Sequence, residues 1–275
     1  MKIIQIKTDA LTQPEISKLF KKLNVKKSSF VFAAFKNNLI TGIACLYQNE
    51  VHTNRDYIAV YVKEKYRREG IGLELLHKLQ SVSEKKKYQC MCDSSNTALI
   101  LFLQKNGFSL ARRCYNFSYK YIDKPLLNFY GTIKELNNIS IYEEKELARL
   151  IFKNYSLFHK KINALSTSIN DEIFYNKLIK PYNKNLSTML LLDGKPSAYM
   201  IVYGEDEDTE IGYIGGKYKK DINIYLNYFL NRINSLSFNT EGLMFEIDDA
   251  DFYAFPLIKA MNVTVRNSYN TYIAE

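Results

Sequence analysis

The stretch Tyr57-Ile-Ala-Val-Tyr-Val-Lys-Glu-Lys-Tyr-Arg-Arg-Glu-Gly-Ile-Gly-Leu-Glu-Leu-Leu76 constrains the fold more than any other part of the chain. It opens with apolar and aromatic residues as far as Val62, which is how a buried strand reads. A charged loop follows, Lys63 to Glu69, holding Arg67 and Arg68. Gly70 and Gly72 stand where Ile71, Leu75, Leu76 and Leu79 start to recur at helical spacing. A strand, a basic glycine loop and a helix in that order point backbone N–H groups and the positive end of a helix dipole at one place. The glycines let the backbone approach a ligand and adopt conformations that a Cβ forbids. The junction suits a polyphosphate. It lacks the Gly-Lys-Ser/Thr ending of a P-loop, and it is not Gly-x-Gly-x-x-Gly.

The elements around this junction follow from periodicity and punctuation. Residues 2–7 read as a strand. Thr12 to Leu23 reads as a helix, with Thr12 as N-cap, Glu15 three residues later, and Ile16, Leu19, Phe20 and Leu23 on one face. Strands are expected at 29–35 and 39–47, joined by an Asn37-Asn38 turn, and at 56–62. After the loop come a helix to about Glu84, a strand Gln89–Asp93, a helix Thr97–Lys105 stopped by Gly107, and strand-like sequence over 109–121.

Two motifs give this order a name. Arg67-x-x-Gly70-x-Gly72 directly after a strand resembles the acetyl-CoA signature of the GNAT acyltransferase superfamily, Arg/Gln-x-x-Gly-x-Gly/Ala. Asn96 followed by Phe102-Leu-Gln-Lys-Asn-Gly107-Phe108 is similar to the family's second motif, Asn-x-x-Ala-…-Tyr-x-x-x-Gly-Phe. The resemblance covers residues 1 to about 122. One short helix stands between the first two strands where many members have two, and that region shapes the acceptor site.

The resemblance implies an N-acetyltransferase that uses acetyl-CoA, held in a cleft where the fourth and fifth strands splay. Backbone groups of Val60 and Val62 would bond the pantetheine arm like an added strand. Amides from Arg67 through Gly70 and Ile71 to Gly72 would cradle the pyrophosphate, Arg67 and Arg68 would add charge, and Asn96 would hold the cofactor arm. Acyl transfer to a primary amine needs a deprotonated amine, a close thioester and a proton for the leaving thiolate. Asp56, on the face of Ile58, Val60 and Val62, matches a place where some members carry a catalytic Glu; the alternative is a strand-edge Asp capping the turn from Asn54. Glu50 and His52 are weaker candidates. The family's usual tyrosine acid is here Leu103, beside Phe102. Either Tyr115, Tyr61 or Cys114 replaces it, or the thiolate leaves unaided at a thiol pKa near ~8.5. A non-catalytic acyl-CoA-binding module is the alternative reading.

Length places the chain at about two domains, 1–125 and 126–275, with a linker from Lys124-Pro125 through Asn128–Asn138. In the second half Ser140 to Tyr142 reads as a strand and Glu143–Phe152 and Asp171–Ile179 as helices. Leu186–Leu192 and Pro196–Tyr203 flank an Asp193-Gly194 turn. A strand Thr209–Ile214, a helix Asp221–Leu236, a strand Leu243–Ile247, a helix Phe252–Met261 and strand-like 263–273 complete it. This repeats the first half's order, with Gly215-Gly216 where the basic loop should be. The fold class is α/β (α+β): two tandem GNAT-like domains, each a mixed, mostly antiparallel sheet flanked by helices, the second without a cofactor.

Charge separates the halves, +12 over residues 1–125 and −3 over 126–275. The basic half suits a nucleic acid or a phosphorylated cofactor, and no aromatic–basic interleaving of the RNA-binding kind is present. Lys26-Lys27 and Lys85 to Lys87 read as solvated element ends. Glu205–Asp208 and Glu246–Asp251 suit a cationic amine acceptor such as a polyamine, an amino sugar or a Lys side chain, or are solvated loops. No run approaches a membrane span and the N-terminus reads as a strand, so a cytoplasmic protein is expected. Cys45, Cys90, Cys92 and Cys114 then stay reduced, and no metal site is expected, since Cys90 and Cys92 read as core.

Overall fold

The computed structural model describes all residues except 8–10, 26–27, 120–126, 238–241, 262, 264 and 266, and the side chains of 207 and 237. Lys26-Lys27 and the Lys124-Pro125 part of the expected linker lie outside the described residues. The chain forms two compact units, one of residues 1–111, 162–166 and 270–275, the other of 112–161 and 167–269. Among the described residues no helix is long and apolar enough to cross a membrane.

The first unit contains β1 (Lys2–Gln5), α1 (Pro14–Lys21), β2 (Phe30–Lys36), β3 (Leu39–Tyr47), β4 (Asp56–Val62), α2 (Ile71–Val82), β5 (Tyr88–Asp93) and α3 (Thr97–Lys105). Strict alternation along β2 and β3 gives the sheet two apolar faces. Phe32, Ala34, Ala44 and Leu46 pack with Ile71, Leu75, Leu76 and Leu79 of α2. Val31, Ala33, Ile43 and Cys45 pack with Ile16 and Leu19 of α1. Cys90 and Cys92 belong to the α2 face, as expected of core cysteines; burial pushes the Cys92 thiol up to about 11. Pro14 sets the start of α1, so Gln13 takes the N-cap position without a side-chain cap bond, where Thr12 was expected.

The second unit contains β7 (Thr132–Glu135), α4 (Ile141–His159), α5 (Asp171–Phe174), β8 (Thr188–Leu192), β9 (Lys195–Tyr203), β10 (Glu210–Gly216), α6 (Ile222–Ser237), β11 (Leu243–Asp248) and α7 (Phe255–Ala260). The strand expected at Ser140–Tyr142 is instead the start of α4. Ser140 Oγ accepts the Glu143 N–H at 3.2 Å and Glu143 Oε2 accepts the Ser140 N–H at 2.7 Å, a reciprocal cap. The polar run before it, read as linker, carries β7, paired antiparallel with β8.

The two remaining strands change hands. β6 (Ser109–Tyr119) and β12 (Asn267–Ala274) follow the first and second sets of elements in sequence. The first unit's sheet runs β1-β2-β3-β4-β5-β12 and the second's β7-β8-β9-β10-β11-β6. Each unit therefore takes its sixth strand from the other half of the sequence, which a boundary at 125/126 does not anticipate. Periodicity marks a strand but not its neighbour, and the two strands are interchangeable by pattern.

Arg55, its side chain 4% exposed, ties this arrangement together inside the first unit. Its Nε donates to Ile162 O at 3.0 Å, its Nη1 to Ala274 O at 3.1 Å, and its Nη2 to Glu275 Oε1. One guanidinium thus holds the excursion 162–166 and the end of β12. Arg55→Met should lower unfolding stability by about 3 kcal/mol, since two carbonyls lose their donor. Urea denaturation checks it, and a midpoint equal to wild type would show that the clamp is dispensable.

Candidate functional site

β4 and β5 pair in parallel at only two positions, Asp56 with Tyr88 and Tyr57 with Gln89. Beyond them the strands part. On its other side β4 stays paired with β3 up to Gly42–Val62. Lys63 N–H donates to Thr41 O on the β3 side, whereas Asp56 N–H donates to Lys87 O on the β5 side, both at 2.9 Å. Main-chain groups alternate along a strand, so Val60 and Val62, in step with Asp56, turn theirs into the gap.

The basic loop closes the wide end of this gap. Gly70 is the N-cap of α2 at φ +80°, and a Cβ there would meet nothing, so the glycine is required by conformation. Gly72 keeps an approach close: a Cβ there would lie 3.2 Å from the ring of Phe102, which would have to give by a few tenths of an ångström. Arg68 also takes φ +66°, a conformation that costs a non-glycine residue about 1 kcal/mol. The first helical hydrogen bond of α2 runs from Glu74 N–H to Gly70 O at 3.1 Å. The amides of Ile71, Gly72 and Leu73 ahead of it have no helical acceptor, the arrangement that favours an anion at a helix start. Arg67 Nε donates to Val62 O at 3.2 Å, which anchors the guanidinium to the strand end. Lys36 holds Glu69 at 2.6 Å, and among the described residues no ion pair involves Arg67 or Arg68.

The resulting cleft has a volume of about 320 Å³, within the range of small-molecule sites. All eight residues expected to hold the cofactor line it: Val60, Val62, Arg67, Arg68, Gly70, Ile71, Gly72 and Asn96. Asn96 has a second task, its Oδ1 capping α3 by accepting the Leu99 N–H at 3.2 Å. Phe102 and Lys105, which motif spacing does not single out, also line the cleft. They share a helix face because they lie three apart on α3. No carboxylate is among the lining residues described.

The two expected catalytic residues are placed elsewhere. Asp56 is 1% exposed, and its carboxylate accepts from Ser83 Oγ at 2.7 Å and Gln48 Nε2 at 3.1 Å, with Lys85 Nζ at 3.4 Å. It does not line the cleft; its position at the start of β4, where the sheet is still closed, makes it a structural anchor. Tyr115 lies on β6 in the second unit, opposite Ile247, with its ring 5.9 Å from that of Phe255. Cys114, also in the second unit, donates its thiol to Glu246 Oε1 at 3.0 Å. Leu103, on the inward face of α3, is fully buried. Tyr61 alone of the three expected proton donors lines the cleft. Among the described residues no group of acids, histidines and cysteines forms a metal site.

The second unit opens its sheet the same way. β10 and β11 pair in parallel only at Glu210–Met244 and Ile211–Phe245. Here the protein fills the space itself. A Cβ at Gly215 would overlap Tyr199 Oη and Asn154 Nδ2, and one at Gly216 would overlap the Tyr225 ring. Asn154 Nδ2 donates to Gly216 O at 3.1 Å and Tyr199 Oη at 3.3 Å. The carboxylates of the Glu246–Asp251 run are also engaged: Asp248 with Arg112 at 2.7 Å, Asp249 with the Arg113 N–H at 2.9 Å, Asp251 with the Tyr253 N–H at 2.8 Å.

Residues 2–108 match the acetyltransferase (GNAT) family. The fold is similar to that of a GCN5-related N-acetyltransferase from Sphaerobacter thermophilus, at 11% identity and a TM-score of 0.60 over 94% of this chain and 85% of that one. It is also similar to a probable N-acyltransferase from Enterococcus faecalis V583, at 15% identity and a TM-score of 0.54 over 99% and 71%. A tandem GNAT protein from the clavulanic acid biosynthesis pathway gives 11% identity and a TM-score of 0.51 over 90% and 82%. No curated protein matches the chain in sequence.

Asp56→Ala strands the Ser83 and Gln48 donors in the interior and should cost about 2–4 kcal/mol. Thermal unfolding at neutral pH reads it; a loss of under about 0.5 kcal/mol would return Asp56 to the list of unanchored, functional carboxylates.

Proposed function

We propose that this chain, whose residues 2–108 form a GNAT-family acetyltransferase domain, transfers an acetyl group from acetyl-CoA to a primary amine of a small molecule or peptide. The observation that carries this reading is the opening of β4 from β5 with Val60 and Val62 turned into it, ending at a basic loop with free helix amides. The fit is specific in shape. A pantetheine arm carries amides at strand-like spacing, which the open edge of β4 completes. A pyrophosphate takes the amides of Ile71, Gly72 and Leu73 and the charges of Arg67 and Arg68.

Acetyl-CoA supplies an activated acyl group as a thioester. The chain's residues hold it along β4 and shield it with Phe102, Leu99 and Ile71. In the transfer the amine nitrogen forms a bond to the acyl carbon, the carbon–sulfur bond breaks, the nitrogen loses one proton and the thiolate gains one. With Asp56 anchored in the interior and no carboxylate among the described residues that line the cleft, the amine proton passes to water. Tyr61 lines the cleft from β4 with its ring on the sheet face that α1 covers, opposite the Val60 and Val62 side chains, and its phenol is our choice for proton donor in place of Leu103. Tyr66 stands farther along, in the turn ahead of the loop, with Lys65 Nζ 4.9 Å from its ring centroid.

The competing reading, an acyl-CoA-binding module without catalysis, keeps its support from Leu103. Thiol release from acetyl-CoA in the presence of an amine panel separates the two; binding without release would favour the module. Arg67→Ala/Arg68→Ala should raise KM for acetyl-CoA at least ~10-fold with kcat little changed, because each charge-assisted contact contributes roughly 1.5–3 kcal/mol. An unaltered KM would mean that the loop does not carry the pyrophosphate. Tyr61→Phe should lower kcat by roughly 100-fold, the lower end of general-acid effects; an unchanged kcat would show the thiolate leaving unaided.

A further inference from the structure

We infer that the second unit carries an anion-binding cleft of its own, built for a phosphorylated small molecule. This inference rests on no part of the acetyl-transfer reading. The cavity is larger than the first unit's, about 520 Å³. One wall is a face of α4, where Tyr142, Glu146, Arg149 and Lys153 recur at helical spacing. The opposite wall is the tight turn between β8 and β9, presenting Lys195. Lys217, just past the end of β10, completes the ring.

Charge bookkeeping distinguishes this concavity from an ordinary solvated face. Four cations line it, Arg149, Lys153, Lys195 and Lys217. The two carboxylates that also line it are committed. Glu143 is held by Lys134 Nζ at 2.7 and 2.8 Å and by Ser140, and these partners hold its carboxyl down to about 2. Glu146 is paired with Arg149 at 2.5 Å. Among the described residues, Lys153, Lys195 and Lys217 have no carboxylate within ion-pair distance. Three lysines from three separate elements thus converge on one space with nothing to neutralise them, which repulsion disfavours unless an anion enters. The N-terminus of α4 contributes nothing, because the Ser140–Glu143 cap already occupies it.

The chemistry of the cations selects among anions. A lysine ammonium is a point charge on a flexible stem, suited to the spread oxygens of a phosphate group; Arg149 is already paired with Glu146 at 2.5 Å and Asp171 at 3.7 Å, so the three lysines carry the site. Several such groups match the charge of a phosphorylated ligand better than that of one carboxylate. Tyr142, 71% exposed on the same wall, offers an apolar surface for the organic part of the molecule.

The test uses the full chain carrying Arg67→Ala/Arg68→Ala, so that the first unit's loop does not compete, and inorganic pyrophosphate as probe in isothermal titration. One-to-one binding is expected, weakened at least tenfold by Lys195→Ala/Lys217→Ala with an unchanged melting temperature. Absence of binding in the Arg67→Ala/Arg68→Ala background would overturn the proposal. So would binding that survives Lys195→Ala/Lys217→Ala, since it would lie elsewhere. Acetate at the same ionic strength should not compete; full competition would refute the preference for phosphate.

Discussion

Two residue pairs hold β4 to β5, and after them the ladder stops. An unfinished ladder is normally a liability, because main-chain donors and acceptors are left facing a gap. The first unit tolerates it because both strands are secured on their outer sides. β3 pairs with β4 along its length. β12, the neighbour of β5, comes from residues 267–274 and is fastened through Arg55 to the carbonyl of Ala274. The open edge can then wait for a strand-like ligand without being closed by collapse of the sheet. A cleft used by the first hundred residues therefore depends on the last few.

The second unit has a similar opening with side chains packed beside it. β10 and β11 also part after two pairs, but Tyr199, Tyr225 and Asn154 occupy the space beside Gly215 and Gly216. Three buried tyrosines, Tyr199, Tyr225 and Tyr253, supply apolar volume, and Asn154 satisfies the Gly216 carbonyl that would otherwise face the gap. The loss of Arg-x-x-Gly-x-Gly and the gain of these side chains are two sides of one change. A vacant cleft without a ligand would leave cavity and unpaired polar groups, each costing on the order of 1–3 kcal/mol.

The chemistry of the first cleft is set as much by what is kept away as by what is present. Asp56 sits on the right strand and the right face, yet where the sheet is still shut, so its charge stabilises the turn of Ser83 and Lys85. Leu103 packs in the core. The cleft is consequently cationic at its loop end and apolar along its length, the environment on which the proposed use of a phosphorylated thioester rests.

Much of this was legible in the residues themselves. The strand–loop–helix junction and the absence of its counterpart at Gly215-Gly216 follow from local pattern, because strand alternation, helical spacing and glycine punctuation act over a few residues; the eight cleft-lining residues came from the resemblance of two motifs to a known family. Local pattern also misled where a single residue overrode it, as Pro14 did at α1 and Ser140 did at α4. The role of Asp56 was not legible, since Ser83 lies 27 residues away and only the fold brings the two together. Nor was the exchange of β6 and β12, because two strands of like pattern compete for the same edge and only the long-range pairing decides. The sequence by itself determined that a strand, a basic glycine loop and a helix meet at one junction and what that junction is made of. The tertiary structure alone decided which strands flank it, which carboxylate stays buried and which of two similar openings remains a cleft, because those outcomes depend on contacts between residues up to 220 positions apart.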